Sequence, residues 1–205
     1  MFKETEVINK INNRGRLVHG VGINDVNYII SKRENLKHVL CPFYTVWSHM
    51  LKRCYCKPYH IKYPTYNECT VSKEWLVFSV FKEWMIRQDW RGKELDKDII
   101  KPGNKHYSPG TCAFINGHVN RLLGNHAAKR GNYSQGVYLR KDTNKFSASC
   151  HVHGKQKPLG CYFTEQEASE VYKKAKHKEI LRVADLQSDT RVRDGLYRHA
   201  ELILI

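Results

Sequence analysis

Apolar residues recur at two different spacings along the chain, and the change falls near residue 134. Before it the spacing is helical in three places. Phe2, Val7, Ile8 and Ile11 mark a first helix over residues 2–13. In "FYTVWSHMLKRCY", after Cys41-Pro42, Val46, Trp47, Met50, Leu51 and Cys54 fall on one face. Ser72 predicts an N-cap for a third stretch running through Trp75, Phe78, Phe81, Trp84 and Met85 to Gly92. Gly15, Gly20 and Gly22 punctuate a segment with two strand-like pieces, "RLVHGVGI" and "VNYII". A Tyr-, Pro- and Lys-rich loop spans Lys57 to Tyr66. Next comes "LDKDIIKPGNKHYSPGTCAFINGHVNRLL", Leu95 to Leu123. It holds paired aspartates, Gly and Pro punctuation, the short apolar run "CAFI" and a helix start.

Past a polar linker, "GNHAAKRGNYS", the period becomes two. "GVYLRK", "KFSASCHV" and "QKPLGCYF" read as three strands, with "DTN" and "HG" as hairpin turns. "TEQEASEVYKKAKHKEILRVADL" reads as a helix whose Thr164 and Glu167 form a capping box. Its apolar side carries Ala168, Val171, Tyr172, Ala175 and Ile180. A last short helix ends in "LILI", which must dock or invite aggregation. The pattern predicts an α+β chain: a unit over 1–124, a linker over 125–133, a sheet-and-helix unit over 134–188 and a helical tail over 189–205.

Charge narrows the partners. The 205 residues carry a formal net charge of +15, with a pI near 9.5 and a mean hydropathy of -0.61. So positive a field draws in polyanions, and double-stranded DNA is the first candidate. No apolar run is long enough to span a bilayer, and no basic amphipathic helix stands apart for a membrane surface. "MFKETEVINKINNRGR" lacks the apolar stretch of a secretion signal. Seven cysteines, odd in number and scattered, read as reduced thiols. The expected location is cytoplasmic. All four tryptophans, Trp47, Trp75, Trp84 and Trp90, lie in one stretch, so a packed core is expected there.

Two resemblances add chemistry. Gly136, Val137, Arg140, Lys145, Phe146, Ala148, Leu159, Gly160, Phe163, Ala168 and Tyr172 follow, in order, a pattern of Gly-Val-x-x-Arg, Lys-aromatic-x-Ala and Leu-Gly-x-aromatic before an Ala-containing helix. This segment resembles the apetala/ethylene-response-factor DNA-binding domain, which also occurs appended to phage nucleases. The resemblance implies a sheet whose helix-free face enters the major groove. Arg140, Lys145, His151 and Lys157 are expected across that face. Arg140 and Lys157 would reach base edges and Lys145 a phosphate. Tyr138 and His151 stand where the resemblance expects arginine.

The larger resemblance runs from about Cys41 to Leu123. "WSHMLKRCY", "YNECTV", "EWLVF", "FKEWM", "LDKDI", "GNK-x-YSP-x-T-C-x-F" and "VNRLL" resemble phage-encoded HNH endonucleases of the homing type. The resemblance implies a ββα-metal (His-Me) finger over about 93–124, with a helical elaboration before it. Asp96 on the first strand and Asn120 on the helix would hold one Mg²⁺ or Mn²⁺. A hard cation stabilises the charge that cleavage builds on the phosphate and on the departing 3′ oxygen. Lys97 occupies the place of the usual general-base histidine. A side chain of that type is protonated at neutral pH, with a reference pKa of about 10.4, so it neutralises a phosphate but abstracts no proton. The base would then be His106 or His118, with Asp98 a third partner, and Asn104 would shape the loop. Cys41, Cys54, Cys69 and Cys112 could converge on a structural zinc, but buried free thiols are favoured. The expected activity is a metal-dependent DNA endonuclease targeted by the C-terminal sheet. The alternative is a DNA-binding protein that has lost cleavage and acts as a regulator or as a factor against host or competitor functions. The target sequence, the nick or double-strand outcome and the oligomeric state stay open, with a monomer favoured.

Overall fold

The computed structural model describes residues 4–5, 16–34, 36–124 and 132–205. Most of the expected first helix and most of the expected linker lie outside these residues. The chain is mixed α and β and divides into two compact units. The first holds residues 1–98 and 103–114, the second 99–102 and 115–205. No helix among the described residues is long and apolar enough to cross a membrane.

The first unit is built on aromatic packing. Helix α1 (Pro42–Tyr55) starts at a proline, whose missing N–H is no loss in a first turn. It buries Trp47, Met50, Leu51 and Cys54. Trp47 Nε1 donates to Trp75 O at 2.7 Å, so the indole brings no unpaired donor inside. Helix α2 (Lys57–Lys62) and a 3₁₀ turn over Pro64–Tyr66 occupy the segment expected as a loop. There Tyr59 packs on Tyr63 and Tyr66, with ring centroids 4.6 and 5.8 Å apart.

The helix expected from Ser72 is interrupted. A 3₁₀ turn covers Lys73–Leu76, Val77 is extended, and helix α3 follows at Phe78–Ile86. The break has a cause: Val77 forms a parallel bridge with Ile23, in which Ile23 N donates to Leu76 O and Phe78 N to Ile23 O. Ser72 precedes the turn but makes no side-chain cap bond. Trp75, Phe78, Phe81 and Met85 are fully buried, each worth about 2–3 kcal/mol of apolar transfer.

The strands of this unit are short. β1 (Ser31–Glu34) pairs antiparallel with β2 (Lys37–Leu40). The pieces read as strands, "RLVHGVGI" and "VNYII", make only isolated bridges and turns among the described residues. β3 (Thr70–Val71) pairs parallel with β5 (His106–Tyr107). β4 (Glu94–Asp96) pairs with β6 (Ala113–Ile115).

The second unit contains helix α4 (Gly117–Leu123), strands β7 (Val137–Arg140), β8 (Lys145–Val152) and β9 (Lys155–Tyr162), and helices α5 (Glu165–Asp185) and α6 (Thr190–Leu204). The sheet is antiparallel in the order β7-β8-β9. Val137, Ala148 and Ala168 form its core against α5. The α5 capping box is complete: Glu167 N donates to Thr164 Oγ1 at 3.2 Å and Thr164 N to Glu167 Oε2 at 3.1 Å. The His153-Gly154 turn has positive φ at both residues, as a two-residue hairpin loop requires. His153 N donates to Glu179 Oε1 at 2.9 Å, and Arg182 grips the same carboxylate at 2.6 and 2.9 Å. The tail does not dock in full, since Leu202, Leu204 and Ile205 remain exposed.

Candidate functional site

The loop after β4 is the more heavily tied of the two candidate regions. Asp96 Oδ1 accepts from Asp98 N at 2.9 Å and turns the chain as β4 ends. Between them Lys97 points inward and is 8% exposed. Its ammonium donates to Asp98 Oδ2 at 3.0 Å and to Asn104 O at 2.8 Å. Asn104 closes the loop from the other side: Nδ2 donates to Lys97 O at 2.7 Å and to His106 O at 2.6 Å. Thr111 Oγ1 adds a bond to His106 O at 2.7 Å. Lys97 is thus engaged by its own loop. In the same way Asp98 already serves an ammonium.

His106 is exposed on β5. Its Nδ1 lies 2.8 Å from Thr70 Oγ1 on β3, as the β3–β5 register requires. If Nδ1 carries the proton and donates to Thr70, Nε2 keeps the lone pair that a general base uses. Asp96, Asp98 and His106 belong to the first unit, while Asn120 and His118 stand on α4 in the second. His118 is exposed and lines a cavity of that second unit.

Hard oxygen donors suit Mg²⁺ better than thiols do, and Asp96 supplies one on the strand end. Cys41, Cys54, Cys69 and Cys112 are all buried. Burial pushes the Cys54 and Cys112 thiols up to about 12, and it raises Cys69 as well. All four thiols pack in the hydrophobic core of the first unit. Among the described residues no group of three or more His, Cys, Asp or Glu is placed to hold a metal ion.

The second candidate region is the sheet face away from α5. Alternation along β8 puts Phe146, Ala148 and Cys150 toward the helix, and Lys145, Ser147, Ser149 and His151 on the free face. Partners across the ladder share a face. Tyr138 opposite Ser147 and Arg140 opposite Lys145 therefore join the free face. Lys157 does not: it pairs with Cys150 and lies on the helix side of an exposed edge. The cause is a bulge. Ala148 pairs with Gly160 but Ser149 with Pro158, so Leu159 is an extra residue and the parity of β9 changes there. Gln156 takes the place expected for Lys157, and its Nε2 donates to Ser149 Oγ at 3.1 Å.

The basic groups on this face are only loosely held. Arg140 forms an exposed two-point pair with Asp142, at 3.1 and 2.6 Å, and its guanidinium holds the Asp142 carboxyl below the usual range. Such a pair exchanges readily for another anion. The Lys145 ammonium lies 4.4 Å from the Phe163 ring centre.

Sequence reasoning missed three residues of the second unit, Arg121, Gln135 and Lys176, which line the cavity with His118, His151 and Tyr172. One signal was present. Lys176 falls in the series Ala168, Tyr172, Lys176, Ile180, at a spacing of four on the apolar stripe of α5. A lysine there is buried by position. No family model, curated protein or solved structure matches the chain.

Proposed function

We propose that this chain binds double-stranded DNA with the free face of its three-stranded sheet and cleaves phosphodiester bonds at a finger carrying Asp96. One observation carries the cleavage half: Asn104 braces the end of the Asp96 strand against the His106 strand through two carbonyls. A carboxylate and an imidazole on one braced loop are the parts that a metal-assisted hydrolase requires. Asp96 would hold the ion, and a divalent cation bound there would stabilise charge on the phosphate and on the leaving oxygen. His106, oriented by Thr70, takes the proton from the attacking water. The resemblance supplies Asn120 as the other ligand and His118 as the rival base. DNA binding rests on the +15 charge and on Arg140, Lys145 and His151 sharing one sheet face.

A second reading, DNA binding without cleavage, is favoured by Lys97. The place of the usual base is filled by a buried ammonium bonded within its own loop. A supercoiled-plasmid nicking assay with Mg²⁺, Mn²⁺ or EDTA separates the two. Nicking that needs metal and is lost in Asp96→Ala, Asn120→Ala and His106→Gln supports the enzyme. Salt-sensitive DNA binding with no metal-dependent nicking on any DNA establishes the second reading.

A further inference from the structure

We propose that the cavity enclosed by α4, the open edge of β8 and α5 binds a phosphate monoester of about mononucleotide size. The cavity lies wholly within the second unit and has a volume of about 570 Å³. That is within the range of small-ligand clefts, roughly 300–1,000 Å³. It exists because β7 is shorter than β8. The ladder ends where Ser149 N donates to Gly136 O at 2.9 Å, and the rest of β8 has no β7 partner. Gln135 Nε2 donates to Gly124 O at 2.9 Å, which fixes the rim.

Four basic side chains line this space: His118 and Arg121 from α4, His151 from β8 and Lys176 from α5. No acidic side chain lines it among the described residues. Lys176 decides the matter. It is 7% exposed, and among the described residues its ammonium makes no hydrogen bond or ion pair. The nearby Glu179 carboxylate is already gripped by Arg182 and the His153 N–H. Burial lowers the Lys176 pKa, and Cys150 and Glu179 offset this only in part. A buried ammonium on a cavity wall has a reason to be there if an anion completes it. The donors are of two kinds: Arg121 offers a planar fork suited to phosphate oxygens, and the lysine a point charge. The Tyr172 ring supplies an apolar wall for the rest of the ligand.

The cavity shares His118 with the proposed cleavage machinery and His151 with the proposed DNA face, so its test reads neither activity and varies only Lys176 and Arg121, which serve neither. The full-length chain is titrated calorimetrically with deoxyadenosine 5′-monophosphate, inorganic phosphate and deoxyadenosine. The expected result is one monophosphate per chain, weaker binding of inorganic phosphate, and no binding of deoxyadenosine. Lys176→Met and Arg121→Gln should each weaken the monophosphate by about tenfold or more, since each removes a charged donor. Two single-stranded oligonucleotides, with and without a 5′ phosphate, then distinguish the sources. A gain from the 5′ phosphate assigns the site to strand ends, and its absence assigns it to the free nucleotide. Lack of any wild-type binding overturns the proposal. So do many weak sites that Lys176→Met leaves unchanged, the signature of general attraction to a basic protein. If Lys176→Met lowers the unfolding midpoint, Arg121→Gln decides, because Arg121 is exposed and its loss leaves no buried gap.

Discussion

The loop at Asp96 and the free face of the sheet both carry charge, but they hold it differently. Around Asp96 the polar groups are bound inward. Lys97, Asp98, Asn104 and the backbone of His106 are joined by hydrogen bonds. On the sheet, Arg140 and Lys145 face solvent beside partners they can leave. On the proposed function, the contrast separates charge that builds structure from charge that meets a ligand. Loss of the first should cost stability, and loss of the second should cost affinity alone. Lys97→Ala offers the sharpest break. It removes both hydrogen bonds that the ammonium makes within the loop, to a part-exposed carboxylate and to the Asn104 carbonyl, and should destabilise the first unit by about 1–2 kcal/mol. Denaturant unfolding followed by tryptophan fluorescence reads this, because every tryptophan lies in that unit. Lys97→His, which restores the residue type of the resemblance, should lose similar stability. If Lys97→Ala unfolds like the wild type, the loop is not the braced element described.

The second prediction concerns the tie that secures the β8–β9 hairpin to α5. Glu179 is 2% exposed. The hydrogen bonds from Arg182, and then from the His153 N–H, outweigh burial and hold its carboxyl below the usual range. A carboxylate with a depressed folded pKa contributes stability above its unfolded value, about 4.3. That contribution is lost as pH falls through the lower folded value. The second unit should therefore weaken steeply below about pH 4. Glu179→Gln should cost about 2 kcal/mol at neutral pH, reduced because Arg182 is partly solvated, and should flatten the acid limb. Thermal unfolding at pH 7 and pH 3.5 measures both. A variant with an unaltered acid limb would show that Glu179 is not the titrating tie.

The two regions were not equally legible. The three strands, their turns and the α5 capping box follow from alternation and from short-range chemistry that needs no distant partner. Lys157 went to the wrong face for a physical reason: parity counting fails across a bulge, and only cross-strand pairing reveals the extra Leu159. In the first unit, β1 and β2 are built from "SKRE" and "KHVL", which do not alternate in the way a half-buried strand does. The break at Val77 depends on Ile23, more than fifty residues away, and no local signal marks it. At the Asp96 loop the polar residues stood out in the sequence. That Lys97 turns inward did not, because its partners are a neighbouring carboxylate and a carbonyl seven residues on.

The smallest expected effects test the sheet face itself. Arg140→Ala and Lys145→Ala should each lower affinity for duplex DNA by about three- to tenfold, and each should reduce the slope of log K against log salt by about 1. Neither should shift the unfolding midpoint, because Asp142 and Phe163 stay solvated once their partner is gone. Lys157→Ala is the discriminating control. It removes the same charge from the same sheet, but on the helix side of the β9 edge. If DNA lies across the free face, Lys157→Ala retains nearly all affinity and its salt slope stays within a few tenths of the wild type. Equal losses at Arg140, Lys145 and Lys157 would mean that DNA responds to the overall charge of the unit and not to one face of its sheet. The distinction between charge placed for a ligand and charge merely exposed would then fail where it is easiest to measure.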